Sequence, residues 1–246
     1  MPRLAQITFL VLVAMFLGAG PATATTISVA VAANFLQPLA ELATLFEAQS
    51  GIKVAYSSSS TGKLYAQISN GAPYDLFLAA DAKRPELLAQ AGLAEEPKIY
   101  ARGRVVLWTR DHALAAADWQ QALAADPGRI AIASPAVAPY GAAATTALKA
   151  AGLWQAITPR LVYAQSAGQA FQYGEQRATR FSFAALSYCL SDTGQKGRHW
   201  PISQAPAVVQ KGCLLTKAPH KEAARRFWEF LFTPPAAAIT AAYGYQ

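Results

Sequence analysis

The chain has 246 residues, of which 53 % are hydrophobic and 14 % charged. This balance supports a large apolar core in one large domain or two small ones, and it excludes a disordered chain. The formal net charge is +7, but Lys and Arg are scattered, and no basic run longer than a doublet such as Arg225-Arg226 forms. We therefore expect no nucleic-acid partner, and only mild steering of anions toward the protein.

Residues 1–24 have the pattern of a secretory signal peptide. Arg3 gives a basic start, residues 7–17 are apolar, and Ala22-Thr23-Ala24 supplies small residues for cleavage near Ala24. The apolar run is short for a membrane-spanning helix, which needs about 20 residues. No cysteine lies near the cleavage point, so we expect an exported, soluble chain without a lipid anchor.

Two cysteines, Cys189 and Cys213, are present. In an exported chain a pair of cysteines suggests a disulfide, and two free thiols are the alternative. A metal site is not expected, because there is no CxxC spacing and none of the three histidines is close to a cysteine in sequence.

The first part of the chain alternates strand and helix patterns. Strands are predicted at 26–32, 52–56 and 75–79, and helices at 36–50, 63–69 and 81–92. Asn34 stands where a helix N-cap belongs, and Asp75 and Asp81 are expected to be structural rather than catalytic. This alternation is typical of an α/β fold with a parallel sheet covered by helices.

The same units recur later in the chain. Strands are predicted at 104–108, 129–133, 160–163 and 180–186, helices at 119–125, 142–151, 169–176, 221–232 and 236–242, a loop at 191–201, and extended pieces at 207–210 and 213–216. Two such halves predict two α/β lobes with a cleft between them. Ligands of open α/β sheets bind outside the carboxyl ends of the strands, so the strand-to-helix turns are the candidate site.

The stretch from Tyr56 to Leu64 is the most distinctive of these turns. Its serines, threonine and glycine predict a polar turn into a helix, where hydroxyls cap free N–H groups and the same N–H groups can hold an anion. It is not a Walker A loop, because Ser57 replaces the first glycine and Leu64 replaces the final Ser or Thr.

From about Ile27 to Tyr245 the chain resembles the periplasmic molybdate-binding proteins of ABC transporters (the ModA family). The motifs that carry the resemblance are Val31 to Asn34, Ser59 to Ile68, Gly71 to Asp81, Pro139-Tyr140-Gly141 and Tyr243-Gly244-Tyr245. It implies a type II periplasmic binding protein fold, with residues 25–103 plus 207–246 in lobe I and residues 104–206 in lobe II. It also implies a periplasmic monomer that is not an enzyme, has no cofactor, and delivers its ligand to a membrane permease.

The resemblance also implies which residues hold the oxyanion. They are uncharged donors: Ala33 with Asn34, Ser60 with Thr61, Tyr140, and the turn at Ala167. Ala185 matches a position where some members have a ligand-contacting tyrosine, so Tyr140 is expected to supply the phenol instead. Lys63 is not assigned to the ligand.

A cavity lined only by donors should reject an anion that carries a proton, because the O–H would find no acceptor. Molybdate, tungstate and sulfate pass this test at neutral pH, whereas phosphate does not. Molybdate or tungstate is the leading ligand, and sulfate or another small anion is the alternative. A secreted hydrolase is a third reading, but the chain has no GxSxG and no recognisable triad context for its histidines.

Overall fold

The computed structural model describes residues 25–246, so the expected signal at residues 1–24 lies outside the described residues. The strands are β1 (Thr26–Ala32), β2 (Lys53–Ser59), β3 (Leu76–Leu78), β4 (Lys98–Gly103), β5 (Val105–Thr109), β6 (Ile130–Ala133), β7 (Leu161–Ala164), β8 (Phe181–Ala185), β9 (Arg198–Pro201) and β10 (Val208–Leu214). Within these residues, no helix is both long and apolar enough to span a bilayer.

The helices lie between and after these strands. They are α1 (Leu36–Ser50), α2 (Thr61–Ser69), α3 (Lys83–Gln90), α4 (Trp119–Ala125), α5 (Pro139–Ala150), α6 (Trp154–Ile157), α7 (Ala167–Glu175), α8 (Leu186–Cys189), α9 (Lys221–Phe230) and α10 (Pro234–Ala242). Short 3₁₀ turns occur at Ala33–Phe35, Thr158–Arg160 and Gly194–Lys196.

The strands form two five-stranded sheets. The order is β2-β1-β3-β10-β4 in the first sheet and β7-β6-β8-β5-β9 in the second. β1 runs parallel to β2 and β3, and β6 runs parallel to β7 and β8, while β10 and β5 pair antiparallel with their neighbours. The chain therefore leaves the first sheet after β4, builds the second sheet, and returns to the first through β10.

The polar turn after β2 is shorter than predicted. Ser57, Ser58 and Ser59 continue β2, because they pair in register with Ala30, Val31 and Ala32 of β1. Ser60 alone then separates β2 from α2, which begins two residues earlier than expected. Most of the serine run is thus strand, and only the last hydroxyls lie at a helix start.

The sequence missed the strands that have mainly distant partners. β4 was not predicted, β9 lies inside the predicted loop at 191–201, and the two extended pieces near the C-terminus form the single strand β10. β10 pairs with β3 and β4, which precede it by more than 100 residues. Such pairing is decided by tertiary contacts rather than by local propensity.

Each sheet has its own apolar core. Ile27, Leu39 and Phe227 are fully buried against the first sheet, and Trp108 and Phe181 against the second. Aromatic pairs join helices within each core, as between α1 and α9, where the rings of Phe46 and Phe227 lie 5.0 Å apart.

The two acidic residues have the structural roles expected of them. The fully buried Asp75 carboxylate accepts hydrogen bonds from Ser28 N and His220 N, both at 2.7 Å, and so joins β1 to the start of α9. Asp81 Oδ1 accepts from Arg84 N at 3.0 Å in the first turn of α3. Both carboxylates therefore accept main-chain hydrogen bonds that stabilise the fold.

The suggested disulfide between Cys189 and Cys213 is not formed. Both cysteines are free and buried, which matches the alternative of two thiols. Cys213 lies in β10 opposite Phe77 of the first sheet, whereas Cys189 ends α8 and packs in the core of the second sheet. Burial raises the pKa of both thiols, that of Cys213 to about 12.

Helix α5 begins three residues earlier than predicted and packs closely on β6. A Cβ built on Gly141 would lie only 1.9 Å from the Ala133 carbonyl oxygen. Glycine is therefore needed in the first turn of α5 for this close approach, and the approach fixes the position of the neighbouring Tyr140.

We expect Gly141→Ala to lower the free energy of unfolding by about 1–3 kcal/mol, because an extra methyl group forces the helix away from β6. Urea unfolding followed by circular dichroism measures this change. Ala142→Ser, at the exposed neighbouring position, is the control and should stay within about 0.5 kcal/mol of the parent. Equal stability of Gly141→Ala and the control would contradict the close approach.

Candidate functional site

A cleft of about 630 Å³ opens where the carboxyl ends of strands from both sheets face each other. Its walls come from the turns after β1, β2, β7 and β8, as the general rule for open α/β sheets predicts. The lining includes Ala33, Ser58, Ser59, Lys63, Gln165, Ser166, Gly168, Gln169 and Tyr188. Its charged residues are Lys63 and Glu175.

The turn after β1 contacts the second sheet directly. Tyr188 OH donates to the Ala33 carbonyl oxygen, and Ser187 Oγ donates to the Asn34 carbonyl oxygen at 2.8 Å. A Cβ built on Gly168 would lie 3.5 Å from Ala33 Cβ and 2.8 Å from Tyr188 OH. The structure thus brings Ala33 together with the start of α7, where Ala167 and Gly168 have N–H groups without partners inside the helix.

Contacts at the start of α2 join the sheets at a second place. Gly62 N donates to Val137 O at 2.9 Å, and Arg84 Nη2 donates to Ala136 O at 3.0 Å. Lys63 Nζ reaches across the cleft and donates to Gln165 Oε1. Hydrogen bonds therefore join the turns of the two sheets at two separate places beside the cleft.

The adjacent hydroxyls of Ser60 and Thr61 have different surroundings. Thr61 Oγ1 accepts a hydrogen bond from Ala80 N at 3.0 Å, so its oxygen is used within the first sheet while its O–H can still donate. Ser60 Oγ is buried and has no hydrogen-bond partner within the protein. An unpaired buried hydroxyl costs about 1–3 kcal/mol, which makes it the better candidate for a missing ligand contact.

Asn34 does not act as an N-cap. Phe35 occupies the cap position of α1 and makes no side-chain cap bond. The Asn34 amide is 2 % exposed, and its Nδ2 donates to Gln210 Oε1 at 2.7 Å and to Tyr245 OH at 3.0 Å. The side chain is directed into a buried polar cluster, where its amide meets distant parts of the chain.

Tyr140 belongs to the same cluster. It lies in the first turn of α5 and is 3 % exposed. Its phenol oxygen lies 3.5 Å from Asn34 Nδ2 and 3.4 Å from Gln210 Nε2. A Cβ on Gly103 would lie 1.9 Å from this oxygen, so the phenol packs against the chain where it crosses from β4 to β5.

The cluster is uncharged. Burial raises the pKa of Tyr140 and of Tyr100 well above the ordinary value for a phenol, and it also raises the pKa of Tyr188 and Tyr245. These phenols keep their protons throughout the neutral range and remain hydrogen-bond donors. Together with Asn34, Gln210 and Ser187 they form a buried set of neutral donors between the sheets.

The six residues expected from the sequence thus fall into three groups. Asn34 and Tyr140 share the buried cluster, Ala33 faces the start of α7, where Ala167 lies, and Ser60 and Thr61 start α2. Ala33 lines the open cleft itself; Ser60 directly follows the lining residues Ser58 and Ser59, and Ala167 lies between Ser166 and Gly168.

Sequence reasoning missed four residues that build the site. They are Ser187, Tyr188, Gln210 and Tyr245. Ala185 is fully buried, and Tyr188, three residues later, brings a phenol from the second sheet to the cleft. Tyr245 is part of the terminal family motif Tyr243-Gly244-Tyr245, so the sequence could have indicated it, whereas no local pattern marks Gln210.

The chain is similar in sequence to known bacterial solute-binding proteins. The family model of the bacterial extracellular solute-binding proteins matches residues 27–246. The molybdate-binding protein ModA of Azotobacter vinelandii is 38 % identical, with 93 % of this chain and 94 % of that protein covered. The molybdate-binding protein ModA of Rhodobacter capsulatus is 36 % identical, with 92 % and 90 % covered.

A solved structure extends the similarity to three dimensions. The periplasmic molybdate-binding protein of Azotobacter vinelandii matches with a TM-score of 0.85 at 37 % identity, covering 89 % of this chain and 98 % of that one. The expected two-lobe type II binding protein fold is confirmed.

We expect the free energy of unfolding to fall as the pH rises above about 8.5, and more steeply above about 10. In the unfolded chain, thiols and phenols lose protons at about these values. In the folded chain the raised pKa values keep these groups protonated at a pH where the unfolded chain has lost the protons. The folded state then binds more protons than the unfolded state, so the free energy of unfolding falls as the pH rises. Urea unfolding at pH 7, 9 and 10.5 tests this; equal stability at all three would contradict it.

Proposed function

This chain belongs to the ModA family of bacterial extracellular solute-binding proteins, and we propose that it captures molybdate or tungstate and delivers the ion to the permease of an ABC transporter. The observation that carries the proposal is the 36–38 % identity to ModA proteins along more than nine-tenths of the chain. The family assignment makes it a transport binding protein rather than an enzyme. It also makes the oxyanion a transported ligand rather than a cofactor.

The proposed ligand donors are Ala33, Asn34, Ser60, Thr61, Tyr140 and Ala167. Support comes from their convergence at the facing ends of the two sheets and from the unpaired hydroxyl of Ser60. Thr61 would act through its N–H or its O–H, because its hydroxyl oxygen accepts from Ala80 N and this bond leaves the hydroxyl proton free to donate. Hydrogen bonds to a charged group contribute about 1.5–3 kcal/mol each, so five donors suffice for micromolar or tighter binding after the losses of association.

We further propose lobe I at residues 25–103 plus 207–246 and lobe II at residues 104–206. The strand orders support this division, because β1 to β4 and β10 form one sheet and β5 to β9 form the other. A monomeric, periplasmic chain with its signal cleaved near Ala24 completes the proposal. Its basis is the sequence pattern of residues 1–24 and the periplasmic relative.

Calorimetric titration of the mature chain, beginning at Thr25, tests the ligand. Molybdate and tungstate should bind with a micromolar or lower Kd at pH 7, and phosphate should not bind, because its proton would meet only donors. Sulfate is titrated in the same way, because tighter binding of sulfate than of molybdate and tungstate would favour the alternative ligand. Absence of binding to both molybdate and tungstate would reject the proposal.

Ser60→Ala should raise the Kd for molybdate about 10- to 100-fold, since it removes one hydrogen bond to a charged ligand. The fold should be retained, because Ser60 Oγ has no partner within the protein. Ser57→Ala is the matched control: it lies in the same serine run but is exposed on β2, and its Kd should stay within about twofold of the parent. Equal Kd values for the two variants would remove Ser60 from the site.

A further inference from the structure

We propose that Tyr245 and Gln210 are positioning residues of the oxyanion site, which hold the Asn34 amide and the Tyr140 phenol in place and so link the last residues of the chain to ligand affinity. The inference rests on the proposed function, because Asn34 and Tyr140 are proposed ligand donors. Neither Tyr245 nor Gln210 needs to touch the ligand, and both are buried, at 5 % and 0 % exposure.

The Tyr245 hydroxyl fixes Asn34 at two points. It donates to the Asn34 carbonyl oxygen at 2.7 Å and accepts from Asn34 Nδ2 at 3.0 Å. One hydroxyl therefore restrains both the main chain and the side chain of Asn34. The Tyr245 hydroxyl also lies 3.1 Å from Ser187 Oγ. Because Ser187 donates to the same Asn34 carbonyl, the Tyr245 hydroxyl lies where the second sheet meets the turn after β1.

The Gln210 amide joins the two proposed donors. Its Oε1 accepts from Asn34 Nδ2 at 2.7 Å and from Tyr100 OH at 3.1 Å, and its Nε2 lies 3.4 Å from Tyr140 OH. Gln210 is on β10, the strand by which the chain returns to the first sheet. A single side chain thus sets the orientation of a donor from each sheet.

Buried hydrogen-bond networks of this kind have a strong effect when they are incomplete. Inside the protein each bond is stronger than in water, and an unpaired member pays its full desolvation cost. Loss of the Tyr245 hydroxyl removes one partner from the Asn34 amide and one from the Asn34 carbonyl, so the turn after β1, and with it the Asn34 main-chain N–H, is held less firmly. The expected consequence is weaker binding, beyond any loss of stability.

The chain offers a matched pair of variants. Tyr245→Phe removes only the hydroxyl and keeps the ring, which packs edge-on against Phe35 at 5.2 Å. Tyr243→Phe removes the corresponding hydroxyl two residues earlier, where it bonds Glu41 at the surface rather than Asn34. Both variants lose one phenol hydroxyl from the same terminal motif.

Calorimetric titration with molybdate, at a temperature where circular dichroism shows each variant to be folded, compares them. Tyr245→Phe should raise the Kd about tenfold, and Tyr243→Phe less than twofold. Gln210→Met, which keeps the volume and removes the amide, should also raise the Kd at least tenfold. Parent-like Kd values for folded Tyr245→Phe or Gln210→Met would overturn the proposal.

A double-mutant cycle separates positioning from general loosening of the fold. Asn34→Ala alone and Asn34→Ala with Tyr245→Phe are titrated up to millimolar molybdate. If Tyr245 acts through Asn34, its substitution has a smaller effect in the Asn34→Ala background, where, of its bonds to residue 34, only the one to the main-chain carbonyl remains. An equal, additive effect in both backgrounds would show a merely structural role and overturn the proposal.

Failure of this proposal is distinct from failure of the function. A parent chain that binds neither molybdate nor tungstate rejects the proposed function. A parent that binds, together with Tyr245→Phe that binds equally well, rejects only the role of Tyr245 and Gln210.

Discussion

The structure depends on the buried Asn34, because its amide and carbonyl groups are where the two sheets meet. Ser187 from the second sheet and Tyr245 from the end of the chain both bind the Asn34 carbonyl, while Gln210 and Tyr245 bind its amide. Every member of this cluster is neutral. An uncharged, hydrogen-bonded junction can hold the strand-to-helix turns of both sheets around one small anion.

This arrangement explains how a protein of net charge +7 can bind a doubly negative ion selectively. A lysine or arginine attracts many anions, whereas fixed O–H and N–H donors also test the protonation state of the ligand. The proposed donors lie at the starts of α2 and α7 and in the turn after β1, where N–H groups have no partners inside a helix. On this proposal, selectivity comes from geometry set by the fold.

Much of the fold was predictable from local patterns, because β1, α1 and the β-α units that follow have clear periodicity and recognisable ends. The strands β4, β9 and β10 were missed or divided, since their pairing is with distant segments. Family motifs indicated the proposed donors Asn34 and Tyr140, and the structure places both in one buried cluster. The hydrogen bonds of Gln210 and Tyr245, and the difference between Ser60 and Thr61, depend on partners such as Ala80 that no local pattern reveals.

A crystal structure of the mature chain grown with molybdate, phased or checked at the molybdenum absorption edge, tests the central claim most directly. The account predicts one strong anomalous peak between the sheets, within hydrogen-bond distance of Ser60 Oγ and with only O–H and N–H donors from uncharged groups around it. A peak bound by Lys63 Nζ or an arginine, or one outside the space between the two sheets, would contradict the account.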